Sequence, residues 1–119
     1  MQMEIKFRAW DTNVKSMFSW KQMLLRWNSF SILTCPYLVP MQYTGLKDKN
    51  GKEIYDCDIC MGTRGGSSYI FTVKWDEENA RYLGHTTNGY ICYVGQEPAV
   101  EVIGNIYQNP ELLQGVSNE

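Results

Sequence analysis

The clearest strand in the chain is Tyr69-Ile70-Phe71-Thr72-Val73-Lys74-Trp75. Large apolar residues occupy positions 69, 71, 73 and 75, so they would share one face of an extended segment. Aromatic and β-branched residues, which dominate this stretch, favour the pleated surface of a sheet. The alternation therefore predicts a strand with one face in the core.

Turn-forming residues bound this strand on both sides. Gly65-Gly66-Ser67 precedes it and predicts a hairpin tip, and Asp76-Glu77-Glu78-Asn79 follows it and predicts a polar turn. Further strand-like stretches occupy 54–61, 80–84, 90–94 and 99–107. Turn signals at roughly eight- to twelve-residue spacing favour an antiparallel sandwich or barrel over a helical fold.

An irregularity near Val102 and a turn near Asn50 interrupt the strand pattern. Val102 and Ile103 are adjacent, so both can be buried only at a bulge, at a bend or in a strand covered on both faces. Gly104 favours the bend. Residues 41–44 are extended, and Gly45-Leu46 opens a loop. Asp48-Lys49-Asn50-Gly51 then predicts a tight turn, because Asn-Gly tolerates positive φ angles.

The N-terminal residues 3–10 also alternate, with Ile5, Phe7 and Ala9 on one face and Glu4, Lys6 and Arg8 on the outward face. Asp11-Thr12-Asn13 predicts a turn, and a second strand through Met17 and Phe18 to Trp20 would complete a hairpin over 3–20. We expect this hairpin to pack on the remaining strands.

Residues 21–40 have the weakest pattern. A helix over 21–27 would place Met23, Leu24 and Trp27 on one face, but it lacks recognisable caps, and a strand over 28–33 competes with it. Pro36 and Pro40 argue against a regular central strand between them. At the other end, Asn109-Pro110-Glu111 predicts an N-cap and the first turn of a short helix through Leu112 and Leu113.

These elements predict one domain over 1–119, mostly β, with a β-rich α+β fold as the alternative. Antiparallel strands from about 41 to 107 would form a small SH3-like barrel or a strongly bent sheet. The N-terminal hairpin and a short C-terminal helix would complete it. The expected core consists of Phe7, Ile54, Ile59, Phe71, Val73, Val102, Ile103 and Ile106.

Composition narrows the classes of function. The chain has 119 residues, 44% of them hydrophobic and 20% charged, which is typical of a globular domain. Its net charge of -2 is spread along the chain, and no cluster of Lys and Arg marks a phosphate-binding face, which argues against nucleic acid. No apolar run is long enough for a membrane span or a signal peptide, so we expect a cytoplasmic protein without a membrane partner.

Four blocks of the sequence form a series: Glu4-Ile5-Lys6-Phe7-Arg8-Ala9-Trp10-Asp11, then Met41 through Tyr55, then Val73-Lys74-Trp75-Asp76, and finally Glu101 through Leu113. In this order they resemble the motifs of the YopX family of phage and prophage proteins. The resemblance spans nearly the whole chain and leaves 20–40 and 84–95 as variable segments. The resemblance implies a phage-encoded domain of β character that self-associates, acting in a bacterial host, and it brings no known reaction, cofactor or catalytic residue.

One departure from the family pattern concerns two cysteines. The family usually has Gly at the position of Cys57 and Val at that of Cys60. If that Gly serves a positive φ angle, Cys57 carries a small strain. Cys57-Asp58-Ile59-Cys60 also has the spacing of zinc or redox sites, but it lacks a second ligand pair, and residues i and i+3 of a strand face apart. We therefore interpret both as structural cysteines and expect no metal and no cofactor.

Catalytic patterns are equally weak. His85 is the one histidine, lies in a polar stretch and has no partner selected by spacing, so we interpret it as an exposed loop residue. No nucleophile elbow, HExxH motif or phosphate-binding loop occurs. We expect no catalytic residue, and hence no enzyme.

Aromatic residues give the leading hypothesis about function. Trp10, Trp20 and Trp27 exceed what a small core would bury, and tryptophan is enriched at protein interfaces. We interpret them as a protein interface in a non-enzymatic, protein-binding or oligomerising accessory protein. The N-terminal strand 3–9 is expected at a sheet edge, where it could pair with a second copy. The alternative is a nucleic-acid-binding domain on a small β-barrel.

Overall fold

The computed structural model describes residues 4–26, 34–96 and 99–113. Within these ranges the elements are β1 (Phe7–Asp11), β2 (Ser16–Phe18), α1 (Trp20–Arg26), β3 (Leu38–Lys47), β4 (Glu53–Tyr55), β5 (Asp58–Arg64), β6 (Ser67–Asp76), β7 (Arg81–Thr86), β8 (Ile91–Tyr93) and β9 (Glu101–Asn105). They form antiparallel sheets in the orders β2-β1-β3-β4 and β8-β7-β6-β5-β9, which curl into a half-barrel. The prediction of a mostly β, strongly bent antiparallel fold is confirmed.

The strand β6 is the centre of the larger sheet. It pairs with β5 through residues 67–72 and with β7 through residues 71–76. Gly65 and Gly66 form the predicted hairpin tip with φ angles of 59° and 84°, and a polar turn joins β6 to β7 as expected. β5 and β7 therefore pair with different parts of β6. At residues 67–70, β5 is the one neighbour of β6 among the described strands.

The predicted strand over 54–61 is interrupted between β4 and β5. Asp56 and Cys57 make a turn, and Cys57 has a φ of 72°, so the position does require the conformation that glycine favours. The Cys57 N–H donates to the Val73 carbonyl at 2.9 Å, and the Cys57 carbonyl accepts from Ile106 N–H at 3.1 Å. Both backbone bonds hold the residue in this conformation.

Two expectations for β3 were wrong. Pro40 lies within this strand and is paired with Ala9 of β1, although β3 has neighbours on both sides. The strand tolerates it because β4 pairs with β3 only at Tyr43 and Lys47, so β1 is the one described strand beside Pro40. Gly45 does not open a loop; with a φ of 89° it lies where the register with β4 shifts.

The N-terminal strand differs from its prediction in position and orientation. β1 lies between β2 and β3, so it is not a sheet edge. Lys6 and Arg8 are largely buried rather than outward, because Glu53 and Asp58 neutralise them. Ile5, expected on the apolar face, is 67% exposed. The predicted hairpin forms, but it joins β3 in a sheet rather than only packing on other strands.

Apolar residues bury themselves in two clusters. The larger lies in the half-barrel and contains Ile54, Cys60, Phe71, Val73, Cys92, Val94, Val100 and Val102, and the smaller packs Ala9, Met23 and Leu38 beneath α1. Of the predicted core, Ile54, Ile59, Phe71, Val73 and Val102 are buried. Phe7, Ile103 and Ile106 are only half-buried.

The predicted irregularity at Val102 and Ile103 is present. The pairing of β5 with β9 shifts register so that Ile103 has no partner between Val102 and Gly104. A side chain at Gly104 would collide with Asn109, whose Oδ1 accepts from Asn105 N–H at 3.2 Å. A short helical turn follows at 111–113, as expected. The Asn109 side chain, which was predicted to cap it, instead accepts this hydrogen bond from Asn105 in β9.

Helix α1 confirms the helix predicted over 21–27, shifted by one residue. Its cap was missed: Gln22 N–H donates to Ser19 Oγ at 3.2 Å, and Ser19 N–H donates to Gln22 Oε1 at 2.9 Å. This reciprocal pair is a capping box. The competing strand over 28–33 lies outside the described residues. No helix in the described part of the chain is long and apolar enough to cross a membrane.

Candidate protein-binding surface

The structure places the predicted interface tryptophans on different surfaces. Trp10 is half-buried and stacks on Tyr107, with ring centroids 5.7 Å apart. Trp20 is half-buried against the cluster beneath α1, 6.0 Å from the Phe7 ring. Since Phe7 and Trp10 project from opposite faces of β1, the two tryptophans do not form one patch. Trp27 lies outside the described residues.

The two motif cysteines lie in surroundings that oppose thiolate chemistry. Burial, and then the neighbouring Asp56, raise the pKa of the Cys57 thiol to about 11. Burial also raises the pKa of Cys60, which lies in the larger core cluster. Both thiols are therefore protonated at neutral pH, whereas metals and disulfides react with the thiolate. Within the described ranges, no group of three or more His, Cys, Asp and Glu could hold a metal.

His85 is not the exposed loop residue that was predicted. It lies in β7, paired with Thr72 on one side and Ile91 on the other, and it is half-buried. The strand extends two residues beyond the predicted 80–84, which draws His85 into the sheet.

The most buried carboxylate, Asp58, and the partly buried Arg8 join the two sheets. Asp58 is 1% exposed and lies 2.7 Å from Arg8 Nη2, and its Oδ2 accepts from Tyr55 N–H at 2.7 Å. Arg8 also lies 4.8 Å above the Tyr55 ring and donates to the Asp56 carbonyl at 3.3 Å. Burial raises the pKa of Asp58, and Arg8 opposes that rise. This cluster is closed to solvent, so we assign it a structural role.

An open cleft lies beside the end of β6 that, among the described strands, pairs with β5 alone. β7 ends at Thr86, opposite Phe71, so residues 67–70 extend beyond it. The turn after β7 forms the opposite wall, and the cleft between them has a volume of about 750 Å³. Its walls include Ser68, Tyr69 and Ile70 on β6 and Tyr90 and Ile91 around β8.

The lining of the cleft is mostly uncharged. Arg64, at the end of β5, is the one charged residue among the described residues that line it, and no acid does. The Tyr69 ring lies across β5, where a side chain at Gly62 would come within 2.6 Å of it. The ring therefore leaves the space on the other side of β6 open.

Exposed apolar side chains lie along β8, beside the cleft. Tyr90 is 72% exposed and Ile91 is 57% exposed, and Tyr93 follows on the same face of β8 as Ile91. Arg81 lies 4.8 Å above the Tyr93 ring. Of the strands that the structure describes, β7 alone pairs with β8, which therefore lies at the edge of its sheet. We refer to Tyr90, Ile91 and Tyr93 as the apolar rim.

Known proteins resemble this chain in sequence and in structure. The model of the family described as YopX protein matches residues 6–114. The chain belongs to the YopX family. Protein EF1440 from Enterococcus faecalis has a similar structure, with 25% identity, a TM-score of 0.64, and coverage of 94% of this chain and 99% of that one. Protein YopX from Bacillus subtilis has 24% identity, a TM-score of 0.63, and coverage of 91% and 97% respectively.

The family model establishes the family and the two solved structures share the fold, but none of them shows an activity. The YopX family has no assigned function, and neither of the two structures has an assigned activity. No curated protein matches the chain. The apolar rim lies within 84–95, one of the two segments that we interpreted from the sequence as variable. Tyr90, Ile91 and Tyr93 are close together in the sequence, but the sequence did not predict that they form an exposed surface. Their exposure depends on the position of β8 at the end of the sheet, which no local pattern shows.

Proposed function

We propose that this YopX-family protein is a non-enzymatic protein-binding module, encoded by a phage or prophage and acting in the cytoplasm of the bacterial host. The observation that carries the proposal is the apolar rim around an open cleft. Tyrosine is enriched at protein interfaces, and large apolar side chains grouped at a surface mark contact sites. The partner is a host or phage protein.

Electrostatics support a protein partner over a nucleic acid. The chain carries a net charge of -2, and Arg64 is the one cation among the described residues of the cleft. Affinity for a phosphate backbone comes from several clustered cations. The protonated cysteine thiols and the structural role of Arg8 and Asp58 support the absence of catalysis.

Affinity capture from host extract tests the proposal. The double variant Ile91→Thr/Tyr93→Thr removes the apolar rim from β8 but keeps β-branched residues that suit a strand. The matched control is Val14→Thr, which changes a residue that is 63% exposed in the turn between β1 and β2. We expect a partner that wild type and the control retain and the double variant loses.

Two outcomes would overturn the proposal. One is a captured protein that binds all three forms equally, because the rim would then play no part. The other is binding to DNA or RNA that weakens steeply with added salt, which is the behaviour of a phosphate-driven complex.

Self-association is a second partner class that we propose for the same module. β8 ends one sheet, and edge strands offer unpaired backbone groups to another chain. Two-fold dimers are the commonest assemblies, so we expect a homodimer or a larger closed assembly. Light scattering over a hundredfold dilution measures it, and a mass fixed at 13.8 kDa throughout would assign the rim to a different protein.

A further inference from the structure

Among the described strands, the end of β6 has a neighbour on one side and a vacant position on the other. Residues 67–70 pair with β5 on one side, and in the described part of the chain no strand pairs with them on the other. β7 would occupy that side if it continued past Thr86, but the chain turns there instead. The cleft lies in this vacant position, with Ser68 and Ile70 in its wall.

The backbone of this segment directs hydrogen-bonding groups into the cleft. In an antiparallel pair, alternate residues exchange both backbone bonds with a given neighbour. The Val73 carbonyl accepts from Cys57 N–H, so the odd-numbered residues of β6 point towards β5. Ser68 and Ile70 have the opposite parity, and their N–H and C=O groups therefore face the vacant side.

The opposite wall is held in place by a bonded turn. Thr86 N–H donates to the Tyr90 carbonyl at 2.9 Å, and Tyr90 N–H donates to Thr86 Oγ1 at 2.9 Å. Gly89, with a φ of 93°, donates to the Thr86 carbonyl at 3.2 Å and closes the turn. Tyr90 and Ile91 are thus fixed at the rim.

Size and charge limit what can fit. Four residues of strand span roughly 13 Å, and a cleft of about 750 Å³ is in the range of sites for short ligand segments. Apolar side chains at Ile70, Tyr90 and Ile91 suit apolar groups of the guest. Arg64 suits a carboxylate, since complementary charge fixes the register of a bound segment.

Resting on the protein-binding function proposed above, we infer that this cleft binds an extended segment of a partner polypeptide as an added strand beside Ser67–Ile70. The segment carries an acidic side chain that pairs with Arg64 and apolar side chains that contact the rim. Main-chain bonds to Ser68 and Ile70 supply affinity, and the side-chain contacts supply specificity, as in other cases of strand addition.

Selection from a displayed library of random dodecapeptides tests the inference. We expect wild type to enrich peptides with alternating apolar residues and at least one acid. Ser68→Pro removes one N–H from the vacant side without removing a bond to β5, and it should weaken these peptides at least tenfold. Ser68→Ala keeps the N–H and is the matched control, which should bind like wild type.

Charge is tested with the same selected peptides by fluorescence anisotropy. Arg64→Glu should weaken binding at least tenfold and Arg64→Lys much less, and replacing the peptide's acid by lysine should weaken binding to wild type. Amide resonances of Ser68 and Ile70 should shift on titration. Melting temperatures of all variants establish that each is folded before its binding is compared.

The inference is overturned if no peptide is enriched, or if enriched peptides bind wild type and Ser68→Pro equally. Enrichment of uncharged or basic peptides would overturn the role of Arg64. The failure of this inference can be distinguished from the failure of the proposed function. If Ile91→Thr/Tyr93→Thr loses a host partner that Ser68→Pro retains, the protein binds a partner but not by strand addition. A labelled single-stranded oligonucleotide that displaces the peptide would assign the cleft to nucleic acid.

Discussion

Cys57 holds a backbone conformation that suits glycine. Its φ of 72° costs a residue with a Cβ atom roughly 1–2 kcal/mol. We expect Cys57→Gly to raise the free energy of unfolding by about 0.5–1 kcal/mol, because relief of strain is partly offset by the larger unfolded-state entropy of glycine. Urea unfolding followed by tryptophan fluorescence measures the change.

Cys57→Ala is the matched control for that substitution. It removes the thiol but keeps the Cβ atom, so the strained backbone stays. We expect the alanine variant to be less stable than the glycine variant. If alanine were equal or better, the conformation at this position would carry no strain.

Asp48 ties the tight turn after β3 to β9. Its Oδ1 accepts from the N–H groups of Asn50 and Lys52, and its Oδ2 accepts from Val102 N–H, each at 2.9 Å. Burial opposes ionisation, but the three donors outweigh it and lower the pKa of Asp48. The carboxylate therefore stabilises the fold above its unfolded pKa of about 3.9, and this contribution is lost as the pH falls through the lower folded pKa.

Asp48→Asn tests this contribution through its pH dependence. The asparagine amide N–H would face the Val102 N–H, and two donors cannot bond to each other. We therefore expect the free energy of unfolding to fall by about 1.5–3 kcal/mol at pH 7. Urea unfolding at pH 7, 5 and 3 should show the difference from wild type shrinking below pH 4. Glu77→Gln removes an exposed charge and serves as control. A difference that is constant with pH would contradict the role of ionised Asp48.

The packing of β7 on the core depends on a residue without a side chain. A Cβ atom at Gly84 would lie 2.4 Å from Phe71 Cδ2 and 2.5 Å from Cys92 Sγ. We expect Gly84→Ala to lower the free energy of unfolding by about 1–3 kcal/mol through overpacking. Calorimetric melting measures the loss.

Gly95→Ala provides the comparison for that prediction. A Cβ atom there meets only Leu46, at 3.5 Å, so a change within about 0.5 kcal/mol is expected. Equal losses at both glycines would mean that backbone entropy, rather than contact with Phe71 and Cys92, sets the cost at Gly84.

The strands with local signals were predicted well, and those set by distant contacts were not. β6 and its two turns follow from alternation and turn residues in one continuous stretch. The pairing of Pro40 with Ala9 depends on where β4 ends, which no local pattern shows. The cleft beside β6 likewise exists because Phe71 and Thr86 form the last pair between β6 and β7. If β7 were two residues longer, it would cover part of residues 67–70.

The ion pair between Arg8 and Asp58 joins the two sheets of the molecule. Removing one member leaves the other charge buried without its partner, so we expect Arg8→Met to cost about 3–5 kcal/mol. Replacing both, as Arg8→Met/Asp58→Asn, should recover part of that loss, since the asparagine can still accept from Tyr55 N–H. Urea unfolding of wild type, both single variants and the double variant measures the coupling energy.

The outcome of this cycle separates two roles. A coupling energy of at least about 1 kcal/mol would assign the stability to the pair itself. Losses that simply add would show that each residue acts through its other contacts, such as Arg8 on the Tyr55 ring. The burial of Lys6 and Arg8 was not predicted because their acidic partners lie far along the chain, where alternation within 3–10 carries no information.

The inward charges of β1 also bear on the order in which the protein is made. The Arg8 guanidinium donates to a carbonyl 48 residues further along the chain, so at about 5–20 residues per second its partner leaves the ribosome roughly 2–10 s later. For much of that interval β1 exists without β3, since Leu38–Lys47 is made shortly before Asp56. Charged residues pointing to its future interior discourage pairing with other nascent chains. We therefore expect Arg8, which later joins the two sheets, to act first as a safeguard against aggregation during synthesis.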